Sequence, residues 1–362
     1  AIEGRYEAQY GPVYDQQPAL FDSWLTELDN AIKVLSDNSL PAQVSYGQAD
    51  IFYQGDWVKW VKLANTLKLR IAARLENADN AKCQAIFQQV LKDPTGPIDG
   101  DDSQVKYLNS TYAPFGTGGD IDYRSRRYAT TSIMAFLKKS NDPRLPVYFE
   151  TNDLTGSFKD TLTKYSVTLP AFINVNDPLV RYQGGPADWN TNPAVAAYIG
   201  NGFSAGPYTK YNLISAINRR FFSPKLNQAT GNFMDVPVTY AETCFYMAEF
   251  IQKGYAGGAD TKGSAEDWYK KGITSSIQTM NAIAIAAQST TAYTGTGATE
   301  IQQYLDNAEV KFNGVNNLER IYIQEYLSMY RQANEAFVFC RRTGYPKTGS
   351  AYYGREPFNE LI

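Results

Sequence analysis

Asp99, Asp101 and Asp102 crowd the stretch "DGDDS", and Asp120 and Asp122 follow in "GGDID". Paired carboxylates are the equipment of glycoside hydrolysis, one as acid and one as nucleophile or base. Little other side-chain catalysis is open, because the chain has no histidine. That excludes a Ser–His–Asp triad, a Cys–His dyad and a His-ligated zinc. A carboxylate-dependent glycoside hydrolase therefore stands as an alternative to the plainer reading, in which these acids are solvated or hold a cation. "DGDDS" lacks the spaced ligands and closing Glu of an EF-hand loop. Cys83, Cys244 and Cys340 lie far apart without CxxC spacing and read as small buried hydrophobes. No catalytic residue, metal or cofactor is assigned.

The other chemistry on offer is adhesive. Aromatic residues make up 14% of the chain, and 27 residues are Tyr. A Tyr offers a flat apolar face and a hydroxyl, which suits sugars, peptides or a wet core. "VRYQGGPADWNTNP" places Arg181, Tyr182, Trp189, Asn190 and Asn192 in a polar, Gly-rich loop. "NGFSAGPYTKYN" adds Phe203, Tyr208 and Tyr211, and "YLNSTYAPF" adds Asn109, Tyr112 and Phe115. Trp189 has no helical stripe around it. Either it plugs its loop onto the core, or it stacks on a ligand whose polar groups Asn and Arg bind. Gly184, Gly185 and Pro186 would then shape a turn that holds the ring outward. Trp189 leads this candidate site and Tyr182 is second, with Arg181, Asn190, Asn192, Tyr208 and Tyr211 around them.

The elements that must carry these loops are helices. The chain has 362 residues, 43% of them hydrophobic and 20% charged, with a net charge of −3. That is an ordinary globular composition, with no basic cluster for nucleic acid. No apolar run reaches the roughly 18 residues of a membrane span. Periodicity predicts helices near 19–36, 56–77, 80–92, 125–139, 239–254, 265–285 and 316–343. Leu20, Trp24, Leu28 with Leu25, Ile32 and Leu35 share a face of the first. In the second, Trp57, Trp60, Val61, Ala64, Leu67, Ile71 and Leu75 form an apolar stripe, so both tryptophans are expected in the core. Asn65 and Arg70 fall off that stripe, and Lys68 falls on it, its stem snorkelling past the core edge.

The helix ends are also marked. Pro18 suits a helix start, Asn80 an N-cap, and Ser264 with Asp267 a capping box. Gly254 ends one helix. Gly344 suits a left-handed cap, with Arg341 and Arg342 in the turn before it. Ala265, Tyr269 and Gly272 have the spacing of a tetratricopeptide second helix. The fold class is thus all-α, with tetratricopeptide-like helical pairs as a scaffold over about 18–93, 124–150 and 237–346. Loop-rich, irregular binding insertions are expected at about 94–123 and 151–236, with some β-like alternation near "KYSVTL".

Five segments, "YQGDWVKWVKLANTLKLRIAARL", "NDPRLPVYF", "VPVTYAETCFYMAEFIQKG", "AEDWYKKGI" and "NEAFVFCRRTGYP", resemble in order and spacing the SusD-like (SusD/RagB) outer-membrane nutrient-binding lipoproteins. The resemblance spans roughly residues 12–346 and implies a single SusD-like domain over 1–362. It implies a binding protein rather than an enzyme. Such a protein is lipid-anchored on the extracellular face of the outer membrane and lids a SusC-like TonB-dependent transporter, for which it captures oligosaccharides. An oligopeptide-binding member of the same family is the alternative. The lipidated cysteine and the family's signal peptide do not occur here, and neither terminus reads as a natural start or stop. The chain is expected to lack both native termini, with its anchor and part of its ligand site outside it.

Overall fold

The structure is a computed structural model describing residues 14–41, 44–108, 128–169, 171–186, 203–204, 210–222, 231–289 and 297–356, with backbone alone at 203–204 and 210–211. It is helical, as the periodicity requires. The described helices are α1 (Gln17–Leu35), α2 (Trp57–Leu75), α3 (Asn80–Lys92), α4 (Thr131–Lys139), α5 (Leu145–Tyr148), α6 (Gly156–Lys164), α7 (Tyr240–Gln252), α8 (Ala265–Ala286), α9 (Ala298–Asp306), α10 (Asn317–Ser328) and α11 (Ala333–Thr343). Two two-stranded sheets accompany them. β1 (Val105–Leu108) pairs with β4 (Met234–Val238), and β2 (Phe203–Ser204) pairs antiparallel with β3 (Lys210–Tyr211), Phe203 opposite Tyr211. The chain divides into two compact units, residues 1–107 with 236–275, and residues 108–235 with 276–362.

In the first unit α2 packs against α1, α3 and α7. Helix α7 is apolar nearly all round, and its residues from Ala241 to Phe250 are all buried. Its two acids are paired: Glu242 accepts two 2.6 Å bonds from Arg70, and Glu249 accepts one from Lys253 at 2.7 Å. The pairing of α7 with α8 rests on Gly272, where a Cβ would lie 2.8 Å from the Phe245 ring. Helix α8 opens with the expected capping box. Ser264 Oγ accepts from Asp267 N at 3.1 Å, and Asp267 Oδ2 accepts from Ser264 N at 2.9 Å.

Several expectations for this unit are corrected. The buried residues of α1 are the expected Leu25 and, in addition, Phe21, while Trp24 is exposed. Asp79, not Asn80, caps α3, accepting from Lys82 N at 3.0 Å. Asn65 points inward and donates to the Gly96 carbonyl at 3.1 Å. Lys68 does not reach open water but is buried, its Nζ 2.6 Å from Asp29 on α1. Both tryptophans are half-buried rather than core. Trp60 lies edge-on to Tyr53 at 5.3 Å, beside a cluster that includes Leu63, Ile98 and Val238. Its indole N–H donates to Asp50 at 2.8 Å. Trp57 meets the exposed Tyr46 ring edge-on, at 6.1 Å.

In the second unit, the segment expected as one helix over 316–343 is two, α10 and α11, parted at Met329–Gln332. The break delivers the Tyr330 ring onto Tyr148, stacked at 4.0 Å and 7°, and its hydroxyl donates to the Tyr148 carbonyl at 2.8 Å. The helix expected over 125–139 starts at Thr131. Before it, Tyr128 bridges to Ala216 and Thr130 to Gly185 in extended backbone. The insertion is less irregular than its composition implies. It holds α6 and its own apolar cluster of Leu154, Phe158, Ile173, Val180 and Leu213. Helix α6 escapes the sequence reading because Thr161 and Thr163 are β-branched. Both hydroxyls bond back one turn, to Ser157 O at 2.9 Å and Lys159 O at 3.1 Å.

Candidate functional site

The acidic loop resolves into scaffold contacts. Asp99 takes Lys62 Nζ at 2.7 Å and Ser103 Oγ at 3.1 Å. Burial works against its charge, but Lys62 and the hydrogen bonds outweigh it and hold the carboxyl below its usual range. Asp102 pairs with Lys59 at 3.6 Å. Asp101 accepts from Ser275 Oγ at 2.5 Å, and burial pushes its carboxyl up. Each acid serves a different neighbour, so the three do not form a shared acid–base pair. Asp120 and Asp122 lie outside the described residues. Among the described residues no three His, Cys, Asp or Glu side chains cluster as metal ligands would. The three cysteines form no disulfide; Cys83 and Cys244 are buried, as read, and Cys340 is half-buried.

The loop of the binding hypothesis is tied down at its base. Arg181 is exposed, yet its guanidinium donates to Thr151 Oγ1 and to the Asn152 carbonyl, both at 2.9 Å. Tyr182 is half-buried, and its carbonyl accepts from Lys138 Nζ at 3.1 Å. Burial raises its phenol. Gly184 and Gly185 form no outward turn. They press flat against the start of α4, where a Cβ at Gly184 would sit 2.5 Å from the Thr130 carbonyl. Gly185 bonds Ala129 O at 2.9 Å and Thr131 N at 2.8 Å. Trp189, Asn190, Asn192 and Tyr208 lie outside the described residues, and Tyr211 is described only as backbone in β3.

Where Gly185 docks, the second unit opens a pocket of about 480 Å³. Ala129 and Thr130, the residues that hold Gly185, form part of its wall. Tyr326 and Tyr330 from α10 and the break, Phe149, Ile217 and Tyr353 supply much of the rest. Helix α11 contributes Ala333, Ala336, Phe337 and Cys340, one stripe at three- and four-residue steps. Among the described residues that line it there is no Lys, Arg, Asp or Glu. Burial raises the hydroxyls of Tyr326, Tyr330 and Tyr353 and the thiol of Cys340, so these groups stay uncharged in neutral water. Such a cavity can hold an uncharged ligand through aromatic faces and a few hydroxyls.

Sequence reasoning missed this pocket. Its residues are scattered from 128 to 353, and the α11 stripe has the period of a core-facing helix. No sequence signal marked it, since Phe337, 64% exposed in the structure, lies on that stripe at the spacing of a core-facing aromatic.

The fold and pocket define an all-α, helical-repeat binding scaffold with an uncharged aromatic recess. Residues 1–357 match the family model SusD-like_2, described as starch-binding associating with outer membrane, and the chain belongs to this SusD-like family. Solved structures share the fold. One is an outer-membrane protein of Bacteroides vulgatus tied to nutrient binding, with a TM-score of 0.68 and 20% identity, covering 96% of this chain and 70% of that one. A SusD homolog from Bacteroides uniformis gives 0.60 and 22%, covering 92% of this chain and 61% of that one. A chitin-binding SusD homolog from Flavobacterium johnsoniae gives 0.58 and 19%, covering 95% and 62%. This chain thus spans less than two thirds of the length of the last two. No curated protein matches it. Among the described residues, no helix is long and apolar enough to cross a membrane.

Proposed function

We propose that the protein captures neutral oligosaccharides at the outer face of the outer membrane and passes them to a SusC-like TonB-dependent transporter, without catalysing a reaction itself. Membership of a family described as starch-binding and outer-membrane-associated supports the ligand class and the location. Attachment through a lipid anchor and the transporter partnership are part of the proposal, and the same membership supports them. The observation that carries the ligand reading is the pocket lining, whose described residues are rich in aromatic rings and include no Lys, Arg, Asp or Glu. A free oligopeptide brings two terminal charges, and burying either without a partner is costly. A pyranose brings apolar C–H faces and no charge.

Trp189, Tyr182, Arg181, Asn190, Asn192, Tyr208 and Tyr211 complete the proposal as the insertion's contribution to the ligand. Its support is placement: Gly185, four residues before Trp189, is hydrogen-bonded to the pocket wall at Ala129. Calorimetry with hexameric maltose-, cellulose- and chitin-type sugars and with unblocked tetrapeptides tests the reading. At least one sugar is expected to bind while the peptides do not. Binding of peptides alone would replace the glycan by a peptide ligand. Purification from native outer membranes tests the partnership, and a consistently solitary protein would count against it.

A further inference from the structure

We infer that Gly184 is a positioning residue for ligand capture: its bare backbone seats the insertion on the pocket wall and so fixes the shape of the pocket. The inference rests on the capture reading above and deepens it.

The first observation is how that wall is joined. Thr130 bridges in parallel to Gly185, Tyr128 antiparallel to Ala216, and Phe149 antiparallel to Ile217. Tyr128, Ala129, Thr130, Phe149 and Ile217 all line the pocket. Gln183 ties the insertion into the same junction. Its carbonyl accepts from Ser215 N at 2.8 Å, and its N–H donates to Ser215 Oγ at 3.1 Å. The Ser215 carbonyl in turn accepts from Ala129 N at 2.9 Å. This side of the pocket is thus one hydrogen-bonded assembly of which residues 183–185 are a part.

The second observation is the approach at Gly184. A Cβ there would lie 2.5 Å from the Thr130 carbonyl oxygen and 2.7 Å from Thr130 C and Thr131 Cα. All three are backbone atoms, which cannot turn aside as the end of a side chain can. Any side chain at 184 must therefore push the two segments apart until 2.5 Å becomes at least 3.0 Å. The displaced segment also starts α4. Thr131 N–H is one of the donors that a helix leaves unpaired at its start, and it donates to the Gly185 carbonyl at 2.8 Å. Thr130, the N-cap, makes no side-chain cap of its own. The Gly185 carbonyl thus holds the first turn of α4, which brings Ile133 to the pocket. A shift at 184 reaches Ala129, Thr130 and Ile133 together, and a binding site tolerates only about 0.5 Å of misplacement in the groups that form it.

Gly231 supplies the control, because it makes the same kind of contact elsewhere. A Cβ at 231 would lie 2.4 Å from the Ala287 carbonyl oxygen, and neither Gly231 nor Ala287 belongs to the described lining. Gly184→Ala and Gly231→Ala should lower the melting temperature to a similar degree, but only the first should disturb the pocket. Calorimetry is run well below both melting temperatures, with maltohexaose, cellohexaose and the β-1,4 N-acetylglucosamine hexamer. For each sugar that the parent binds, Gly184→Ala is expected to weaken affinity tenfold or more and Gly231→Ala less than twofold. Should Gly184→Ala fail to fold, Ser215→Ala takes its place. It removes the acceptor of Gln183 N without crowding and should weaken affinity threefold or more. A second readout needs no ligand. Cys340 lines the pocket and is half-buried, while Cys83 and Cys244 are buried, so N-ethylmaleimide reports on the pocket through one thiol. Parent affinity in the Gly184 variant, or an equal loss in Gly231→Ala, overturns the inference and leaves glycan capture standing. If no sugar binds the parent, the glycan reading falls and the Cys340 labelling rate decides. A threefold or greater change in Gly184→Ala, absent from Gly231→Ala, upholds the positioning role, and any other result overturns it.

Discussion

Gly272 on α8 lies so close to Phe245 on α7 that a Cβ at 272 would be 2.8 Å from Cε1 and 3.0 Å from Cδ1 and Cζ. The glycine here is a matter of approach, since it sits inside a regular helix where alanine is otherwise favoured by about 1 kcal/mol. Phe245 is fully buried and has nowhere to retreat. Overpacking of this kind costs about 1–3 kcal/mol. The net expectation for Gly272→Ala is a loss of about 0–2 kcal/mol in urea unfolding, and Gly272→Leu should lose more. A Gly272→Ala protein more stable than the parent would show that the helices can part without penalty.

Asp50 explains why Trp60 is ordered though only half-buried. Its carboxylate accepts from the backbone N–H groups of Phe52 and Tyr53 at 3.2 Å, from Gly55 N at 2.9 Å and from Trp60 Nε1 at 2.8 Å. Burial favours the neutral acid, but these four donors outweigh it and lower the pKa. The sign follows. A folded pKa below the unfolded value, about 3.9, gives stability that is full above that value and is lost as pH falls through the folded one. Asp50→Asn should cost about 1–2 kcal/mol at pH 7, since an amide cannot accept at all four donors. The gap to the parent should narrow at pH 3. A gap of constant size across that range would mean that shape rather than charge holds the loop.

The scaffold was legible because its signals are local. Ser264 and Asp267 are three residues apart, Gly344 takes φ 74° at the end of α11, and the α7 motif is a local apolar-rich segment whose charged residues are Glu242 and Glu249. The break at Met329–Gln332 left no mark, since those four residues include neither Gly nor Pro. It is made by Tyr330 reaching Tyr148, 182 residues away in sequence. The same limit hid the pocket. Phe149, Ile217, Tyr326 and Phe337 meet only once the chain is folded, and the α11 stripe that lines the cavity has the period of one that fills a core. The tryptophans show the converse. The stripe placed Trp57 and Trp60 on the correct helix but could not tell a core from its rim. Trp60 packs on a buried cluster that includes Leu63, Ile98 and Val238.

The "NDPR" motif owes its strength to Arg144, which is fully buried with Asp142 beside it. The pairing is bidentate, Nε to Oδ1 at 2.9 Å and Nη2 to Oδ2 at 2.6 Å. Ser276 Oγ, Gln324 Oε1 and the Tyr304 hydroxyl complete the guanidinium's shell at 3.0, 2.7 and 3.2 Å. Burial disfavours the cation, but Asp142 more than compensates and raises the Arg144 pKa further. Asp142 also accepts the Arg144 backbone N–H at 2.9 Å, which shapes the turn into α5. An arginine cannot shed its proton to escape an unpaired site. Asp142→Asn keeps the shape and removes the charge, so it should cost about 3–5 kcal/mol, the usual consequence of stranding a buried ion. Arg144→Met strands the carboxylate instead and should fall in the same range. The double variant removes both charges together, so its loss in urea unfolding should be smaller than the sum of the two single losses by at least about 1 kcal/mol. Strict additivity would mean that the two side chains contribute independently and that the motif's turn, not its ion pair, is what the fold requires.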